Sequence, residues 1–257
     1  TRRLLVRKDN DTDKVTSPTL QEMGKVDMGD WHNLVEFVKW AHANYPAKRY
    51  FLNVWNHGTG WHDLKLNSVR GAPVFSPTDI SLDELSGNAI TTLQLGQAMD
   101  EIARTIGRKI DLYGSDACLM AMAEVASEMA ANVDVFVGSE EVEPAAGWPY
   151  DALMKRWAAQ PRASAADVAK ILTEEYVKSY QDGSSGNSSV TLSAYDLSKM
   201  DLIHAAISEL GKKLLKLDTA GRAKFVTAAW ETIDFTYSDY GDLLDFVNLL
   251  EKAEISG

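Results

Sequence analysis

The chain has 257 residues, of which 45% are hydrophobic and 25% are charged, a composition typical of a globular protein with a complete core rather than a disordered, collagen-like or coiled-coil chain. Its 26 Lys and Arg against 37 Asp and Glu give a net charge of −11, which argues against a nucleic-acid or anionic-membrane partner and favours cationic substrates. Cys118 is the only cysteine, which excludes an intrachain disulfide and a multi-cysteine zinc site, and no apolar run reaches the ~20 residues of a membrane span.

The first third of the chain predicts two strands on either side of a helix. Residues 4–6 form a short apolar run typical of a strand. From residue 34 to 41, apolar side chains recur with the spacing of one helical face. Residues 50–55 are rich in β-forming side chains, which predicts a buried strand. Residues 61–92 contain scattered Gly, Pro and polar residues without a period, so we expect a long, mobile connection there.

The middle of the chain alternates helix and strand. Leu95 and the apolar residues after it step by four, three and four, which predicts a helix ending at Gly107. Residues 110–114 predict a strand, residues 119–131 a helix rich in Ala and Met, and residues 133–137 another strand. Because helical crossovers separate these strands, they predict a parallel sheet with helices on both faces.

The last third of the chain is predicted to be mostly helical. Ser164 is a predicted N-cap, and the Gly- and Ser-rich residues 181–189 are typical of a linker. Further elements are predicted as a strand at 190–195 and helices at 199–217, 220–234 and 241–253. We therefore divide the chain into a core at 1–182 and a carboxyl-terminal strand and helices at 183–257 that pack on it.

Chemically reactive side chains follow the predicted strands. His57, Cys118 and the Glu140-Glu141 pair each come within about four residues after one of them. Since ligands in open parallel sheets collect beyond the carboxyl ends of the strands, we expect these groups at one edge. An imidazole beside a thiol is the arrangement that a cysteine nucleophile requires. The predicted helix start at Cys118 also favours thiolate, and so predicts a lowered thiol pKa.

Backbone groups near these residues suit carbonyl chemistry. The N–H groups of Gly58 and Cys118 are candidates for an oxyanion hole, worth about 3 kcal/mol per donor. The alternative is that Cys118 is a buried apolar residue and His57 a structural histidine, as most such residues are. His57, His62 and Asp63 do not predict a zinc site, because the two histidines lie five residues apart and do not share a helix face.

Four segments carry a family resemblance: 53–61 (NVWNHGTGW), 110–120 (IDLYGSDACLM), 138–141 (GSEE) and 147–150 (GWPY). They strongly resemble the clostripain-like cysteine peptidases of the caspase-like clan, whose signature is an apolar strand, His-Gly, a spacer, a second apolar strand and Ala-Cys. The resemblance covers most of the chain more weakly. It implies an α/β fold, a caspase-like three-layer sandwich with a mostly parallel sheet and a helical carboxyl-terminal extension.

The resemblance implies roles for individual residues. It makes His57 and Cys118 the catalytic dyad and Asp116 the acidic residue of the pocket for the side chain that precedes the scissile bond, and so implies cleavage after Arg or Lys. A buried carboxylate suits such a cation, because an apolar side chain would leave it desolvated and alone. The alternative for Asp116 is a turn or helix-capping role. Self-cleavage is implied after a basic residue in 61–92, with Arg70 as the candidate and Lys65 as second choice.

The resemblance also bears on cofactors and location. The chemistry requires no cofactor, but some relatives need Ca²⁺, for which Asp79, Asp83 and Glu84 or the run 140–143 are candidates, although EF-hand spacing is absent. Relatives are commonly bacterial secreted or periplasmic enzymes, and we expect any export signal to precede Thr1. The family's first strand and helix are also expected before residue 1, and further residues after Gly257.

The combined prediction is a cysteine endopeptidase that cleaves protein or peptide substrates after Arg or Lys through a thioester acyl-enzyme. The alternatives are a catalytically inactive caspase-like binding or scaffold module, and a different hydrolase such as an amidase on the same sheet.

Overall fold

The computed structural model describes residues 1–8, 11, 14–61 and 80–255. Its strands, in chain order, are β1 (Arg2–Leu4), β2 (Thr19–Glu22), β3 (Phe51–Trp55), β4 (Ile80–Asp83), β5 (Asn88–Ile90), β6 (Ile110–Asp116), β7 (Val133–Gly138), β8 (Gln181–Gly183), β9 (Gly186–Asn187), β10 (Ser193–Asp196), β11 (Asp234–Phe235) and β12 (Tyr237–Gly241). Its helices are α1 (Trp31–Asn44), α2 (Thr92–Ile106), α3 (Ala123–Met129), α4 (Tyr150–Ala158), α5 (Ala165–Ser179), α6 (Met200–Leu214), α7 (Thr219–Glu231) and α8 (Leu243–Lys252).

A four-stranded sheet in the order β10-β7-β6-β3 forms the centre of the described structure. Strands β3, β6 and β7 are parallel, whereas β10 pairs with β7 in the antiparallel direction. The predicted parallel sheet is therefore confirmed, and the chain after residue 183 adds a strand to its edge. The shorter strands pair as hairpins outside this sheet.

Helices cover both faces of the sheet and make it the middle of three layers. Tyr113 and Phe136 point towards one face and share a buried cluster with α1, α2 and α3. Their neighbours Leu112 and Val137 point the other way and pack with α4 and α5. This alternation follows from the two-residue period of a strand, since each buried strand supplies apolar side chains to both layers. A separate small cluster joins α7 and α8.

Helix ends follow the local signals in two cases. Gly107 ends α2 with a left-handed backbone at φ 73°, as predicted, and Ser164 caps α5, where its side chain accepts the Asp167 N–H. Among the described residues, no helix combines the length and apolar character that crossing a bilayer requires.

Three predictions about local structure are wrong. The helix predicted for 119–131 begins only at Ala123. The predicted linker 181–189 contains the tight hairpin β8–β9, and the described end of the predicted connection 61–92 contains the hairpin β4–β5. Gly87 is a turn residue of β4–β5, and Gly183 and Gly186 flank the turn of β8–β9, so a composition typical of loops is compatible with short antiparallel pairs.

Candidate active site

His57 and Cys118 leave the sheet from neighbouring strands at the same level. In the parallel pair β3–β6, Trp55 lies opposite Asp116, and each candidate follows its strand's paired residue by two positions. The Asn56 N–H also donates to the Asp116 carbonyl oxygen at 3.3 Å, which continues the pairing beyond β3. His57 is exposed and Cys118 is partly exposed, so that solvent reaches both residues. The predicted meeting of the two groups at one sheet edge agrees with this placement.

Gly58 lies in tight contact with the segment that carries Cys118. A Cβ atom at residue 58 would lie 2.5 Å from the Cys118 carbonyl oxygen and 3.0 Å from the Ala117 Cβ. Gly58 also forms an isolated antiparallel bridge with Ile80, at the start of β4. Because any side chain here would push the two loops apart, glycine fixes the separation of the histidine and cysteine segments.

The thiol of Cys118 lies in a turn, not at a helix end. Helix α3 begins at Ala123 with Met122 as its N-cap, so that the predicted helix-dipole effect on Cys118 is wrong. Burial raises the pKa of the Cys118 thiol, and the Glu143 N–H, which donates to Sγ at 3.3 Å, lowers it in part. The free thiol is therefore favoured over thiolate unless a nearby cation intervenes.

The turn after Cys118 is held by the loop that follows β7. Leu119 has a positive φ of 61°, which is unfavourable for a branched side chain. Its N–H donates to the Glu141 carbonyl at 3.2 Å, and the Ala121 N–H donates to the Ser139 carbonyl at 2.9 Å. These two bonds compensate for the strained turn and place Cys118 directly against residues 139–143.

Asp116 is the last residue of β6 and is buried, with 2% of its surface exposed. Its Oδ2 accepts the Tyr150 hydroxyl at 2.5 Å and the Trp148 N–H at 3.4 Å, while the Asn53 amide donates to the Tyr150 oxygen at 2.7 Å. Burial raises the pKa of Asp116, and the bond from Tyr150 opposes this rise. Asp116 caps no helix here, because the next helix has Met122 as its N-cap.

Gly147 lies in close contact with both the Asp116 carboxylate and an exposed indole. Its φ is 61°, and a Cβ atom there would lie 3.1 Å from Asp116 Oδ1 and 3.4 Å from the Trp55 indole nitrogen. Trp55 is 67% exposed. Glycine at residue 147 therefore lets the backbone pack closely against the buried carboxylate, and the indole of the exposed Trp55 lies on the same side of Gly147.

Sequence reasoning missed Glu143 as a partner of Asp116. Glu143 is 9% exposed, and its Oε1 accepts the Trp148 indole N–H at 3.2 Å. Burial raises the pKa of Glu143 to about 9, and Asp116 contributes to that rise. The segment 147–150 supplied the signal, because two aromatic residues with polar groups follow a glycine there. Which residues this segment contacts depends on the path of the loop, and that path cannot be predicted from the sequence.

The remaining acidic candidates have separate partners. Glu140 accepts the Tyr195 hydroxyl at 3.3 Å, and Glu141 accepts the N–H of Thr236 at 3.2 Å. Asp83 accepts backbone N–H groups of its own turn. The described part of the chain contains no group of three or more His, Cys, Asp or Glu placed to hold a metal ion. The other sequence candidates lie outside the described residues: His62, Asp63, Lys65, Arg70 and Asp79.

The carboxyl-terminal hairpin β11–β12 contacts both loops of the site. The buried Tyr240 hydroxyl donates to the Thr59 carbonyl, two residues after His57. The Thr236 hydroxyl donates to the Glu141 carboxylate on the other loop. Residues beyond 183 are therefore part of the support of the site and not a peripheral extension.

A three-layer α/β sandwich with a histidine and a cysteine after adjacent parallel strands is the arrangement expected of a caspase-like cysteine peptidase. Comparison of the sequence with family models matches residues 3–256 to the clostripain family of peptidases. The chain belongs to the clostripain family. It is 29% identical over 213 residues to clostripain of Hathewaya histolytica, an alignment that covers 74% of this chain and 39% of clostripain. The chain thus spans well under half the length of that relative.

Solved structures agree on the fold. A secreted C11 cysteine protease from Bacteroides thetaiotaomicron, iotapain, matches 95% of this chain and 67% of its own with a TM-score of 0.69 at 17% identity. An inactive zymogen C11 protease from Parabacteroides distasonis matches 95% of this chain and 64% of its own with a TM-score of 0.61 at 21% identity. At these identities the likeness establishes the caspase-like fold and no more.

Proposed function

We propose that the protein is a cysteine endopeptidase that cleaves peptide bonds after Arg or Lys, with Cys118 as nucleophile and His57 as its proton partner. The observation that carries the proposal is the register of β3 and β6, which puts His57 and Cys118 two residues beyond a pair of neighbouring strand residues, with Asp116 buried at the end of β6. Membership of the clostripain family supports the reaction class. Amide hydrolysis by a thiol requires no redox or metal cofactor.

The proposed reaction proceeds in two steps. His57 accepts the Cys118 proton as Sγ attacks the carbonyl carbon of the scissile bond, and the resulting tetrahedral intermediate collapses as imidazolium protonates the leaving amine. The first product is the free amine, and the acyl group remains on Cys118 as a thioester. A water molecule, deprotonated by His57, then attacks the thioester carbonyl and releases the carboxylic acid and the thiol.

Two backbone donors are proposed to stabilise the oxyanion: the N–H groups of Gly58 and Cys118. The close contact between the two loops supports this pairing, because it holds the Gly58 backbone against the backbone of Cys118. Donors fixed in this way cost no reorganisation when charge develops on the carbonyl oxygen.

Arg or Lys specificity is proposed to come from Asp116. Its carboxylate is buried, and Asp116 Oδ1 has no hydrogen-bond partner within the described residues. A guanidinium or ammonium group supplies the missing partner, whereas an apolar side chain leaves the oxygen desolvated. Membership of a peptidase family supports a peptide substrate.

The natural setting is proposed to be secreted or periplasmic. One structural neighbour is described as a secreted protease, which supports export of this chain. Substrates are then proteins or peptides outside the cytoplasm, and the acidic surface with its net charge of −11 favours basic ones.

Covalent labelling tests the proposed function. A peptidyl chloromethyl ketone with arginine at the reactive end is expected to add one inhibitor mass per chain, and peptide mapping is expected to place that mass on Cys118. The same inhibitor with leucine is the matched control and is expected to label at least about tenfold more slowly, since it lacks the cation. Labelling with equal rates by both, or none despite an intact fold, would favour the scaffold alternative or a different hydrolase.

Self-cleavage after Arg70 belongs to the same proposal. Arg70 lies outside the described residues, between Trp61 and Ile80 in the sequence. Ile80 pairs with Gly58 beside the site. Nine residues from Trp61 to Arg70 span up to roughly 30 Å, enough to reach Cys118. On incubation, the chain is expected to yield two fragments whose masses place the cut after Arg70. Cys118→Ala is expected to stay intact, and an uncut but active enzyme would contradict the prediction.

A further inference from the structure

Asp116 and Glu143 place two carboxyl groups in one buried space. Each has one oxygen bound by tryptophan, Asp116 by the Trp148 N–H and Glu143 by the Trp148 indole N–H. The second oxygens, Asp116 Oδ1 and Glu143 Oε2, have no hydrogen-bond partner among the described residues. Buried acceptors without a partner are rare in folded proteins, so their presence requires an explanation.

The two groups share one partner in Trp148, and Asp116 contributes to the raised pKa of Glu143, so the ionisation of one depends on the other. Two ionised carboxylates are both acceptors and repel each other, so a bond between them needs one proton. The titratable groups that face the pair are Tyr150 on α4, Tyr176 and Tyr180 on α5, and Cys118 in the turn after β6. All four are neutral in their usual state at pH 7, and none supplies a positive charge.

The hydrogen-bond partners of Asp116 and Glu143 indicate which of the two carboxyl groups carries the proton. Asp116 Oδ2 accepts two bonds, one of them the 2.5 Å bond from the Tyr150 hydroxyl, which favours its ionised form. Glu143 receives one bond, from the Trp148 indole N–H. Its pKa is raised to about 9 by burial and by Asp116, in agreement with a protonated Glu143 at neutral pH.

We propose that Glu143 donates a proton to Asp116 in the free protein, and that a basic side chain entering beside Gly147 displaces this proton, so that binding of Arg or Lys is coupled to proton release. This inference rests on the proposed function and adds Glu143 to the residues that determine specificity. The O–H bond of Glu143 breaks, the proton passes to solvent, and the entering cation then faces two carboxylates. Gly147 carries no side chain on the side of Asp116 Oδ1, and the indole nitrogen of the exposed Trp55 lies on that side, so the proposed route for the cation passes these two residues.

Thermodynamic linkage determines whether the affinity for the cation rises or falls with pH. If binding expels a proton, the affinity for the cation rises with pH, by up to tenfold per unit while the free pair holds the proton and the complex does not. The rise ends near pH 9, where free Glu143 loses its own proton. A single carboxylate that is already ionised gives no such slope between pH 6 and 9.

Calorimetry on the Cys118→Ala variant tests the inference without turnover. A blocked tripeptide amide ending in arginine, whose charge does not titrate in this range, is bound at pH 8 in phosphate and in Tris, which differ in ionisation enthalpy. Between about half a proton and one proton is expected to be released per peptide bound. In Cys118→Ala combined with Glu143→Gln, the release is expected to vanish and the affinity to become independent of pH. In the matched control, Glu141→Gln replaces Glu143→Gln, and the release is expected to persist because Glu141 bonds to Thr236 instead.

The outcomes separate this inference from the proposed function. Binding of the arginine peptide without proton release between pH 6 and 9 overturns the inference and leaves the proposed specificity intact. Release that is unchanged by Glu143→Gln also overturns it. Failure of Cys118→Ala to distinguish the arginine peptide from its leucine counterpart overturns both. The first measurement requires only Cys118→Ala. The inference can therefore be overturned even if the Glu143 variant does not fold.

Discussion

Replacing His57 or Cys118 by alanine is expected to lower the rate of peptide hydrolysis by about 10⁴-fold or more, and replacing both is expected to cost no more than replacing one. The reason is that thiol and imidazole act as a unit, so that neither contributes once the other is absent. Steady-state kinetics with an arginine reporter peptide on the two single variants and the double variant would measure this non-additivity. Losses that add on a logarithmic scale would contradict a dyad.

The pH dependence of His57→Ala provides an independent check. Burial raises the pKa of Cys118, so that without a cationic imidazole the thiol is protonated at pH 7 and only a small fraction is thiolate. Residual alkylation of Cys118 by iodoacetamide in this variant is therefore expected to rise about tenfold per pH unit through pH 7 to 9. His42→Ala serves as the matched control, because His42 bonds to Tyr50 at the amino end of β3, away from Cys118.

The sheet and the position of the candidate dyad could be predicted from the sequence for a physical reason. Buried parallel strands are short apolar runs, and their ends coincide with the polar residues that follow, so the runs 50–55 and 110–114 suffice to locate His57 and Cys118 at strand ends. Parallel pairing then required both groups at one edge. The structure was needed only for the order of the strands, which shows which of these strand ends are neighbours.

The turn that presents Cys118 could not be predicted in this way. Residues 119–122 read Leu-Met-Ala-Met, all compatible with a helix, and local propensity alone would extend α3 back to the cysteine. The structure instead uses the N–H groups of Leu119 and Ala121 to bond to the loop after β7. Tertiary hydrogen bonds override propensity here, and they leave the thiol with a raised pKa where a helix terminus would have lowered it.

The acidic pocket was half predictable. The role of Asp116 was implied by the family resemblance, from its position two residues before Cys118, whereas Glu143 lay within a run of acidic residues whose members have different partners. Sequence spacing cannot tell a carboxylate that faces solvent from one that is buried, since a loop has no fixed period. Glu143 lies near Asp116, with Trp148 as a shared partner, only because of the path of residues 139–149.

Asp116→Asn is expected to lower kcat/KM for Arg and Lys reporters by about 10² to 10³-fold while leaving a Leu reporter nearly unchanged. Removing the charge that faces a buried cation costs about 2 to 5 kcal/mol, whereas the amide keeps the shape of the side chain and still accepts from Tyr150. The free energy of unfolding is not expected to fall. Since burial raises the pKa of Asp116, the folded state disfavours its charged form, and a neutral isostere relieves that cost.

Asp111→Asn is the matched control for this prediction, because it makes the same substitution on the same strand at the opposite end. Asp111 pairs with Arg108 and accepts the Tyr50 N–H. Its replacement is expected to change stability modestly and to leave the ratio of Arg to Leu hydrolysis as it was. Reporter peptides that differ only in the residue before the scissile bond measure that ratio, and thermal unfolding measures the change in stability. If Asp116→Asn retained the full preference for Arg and Lys, the cation would have to be bound by a group other than this carboxylate.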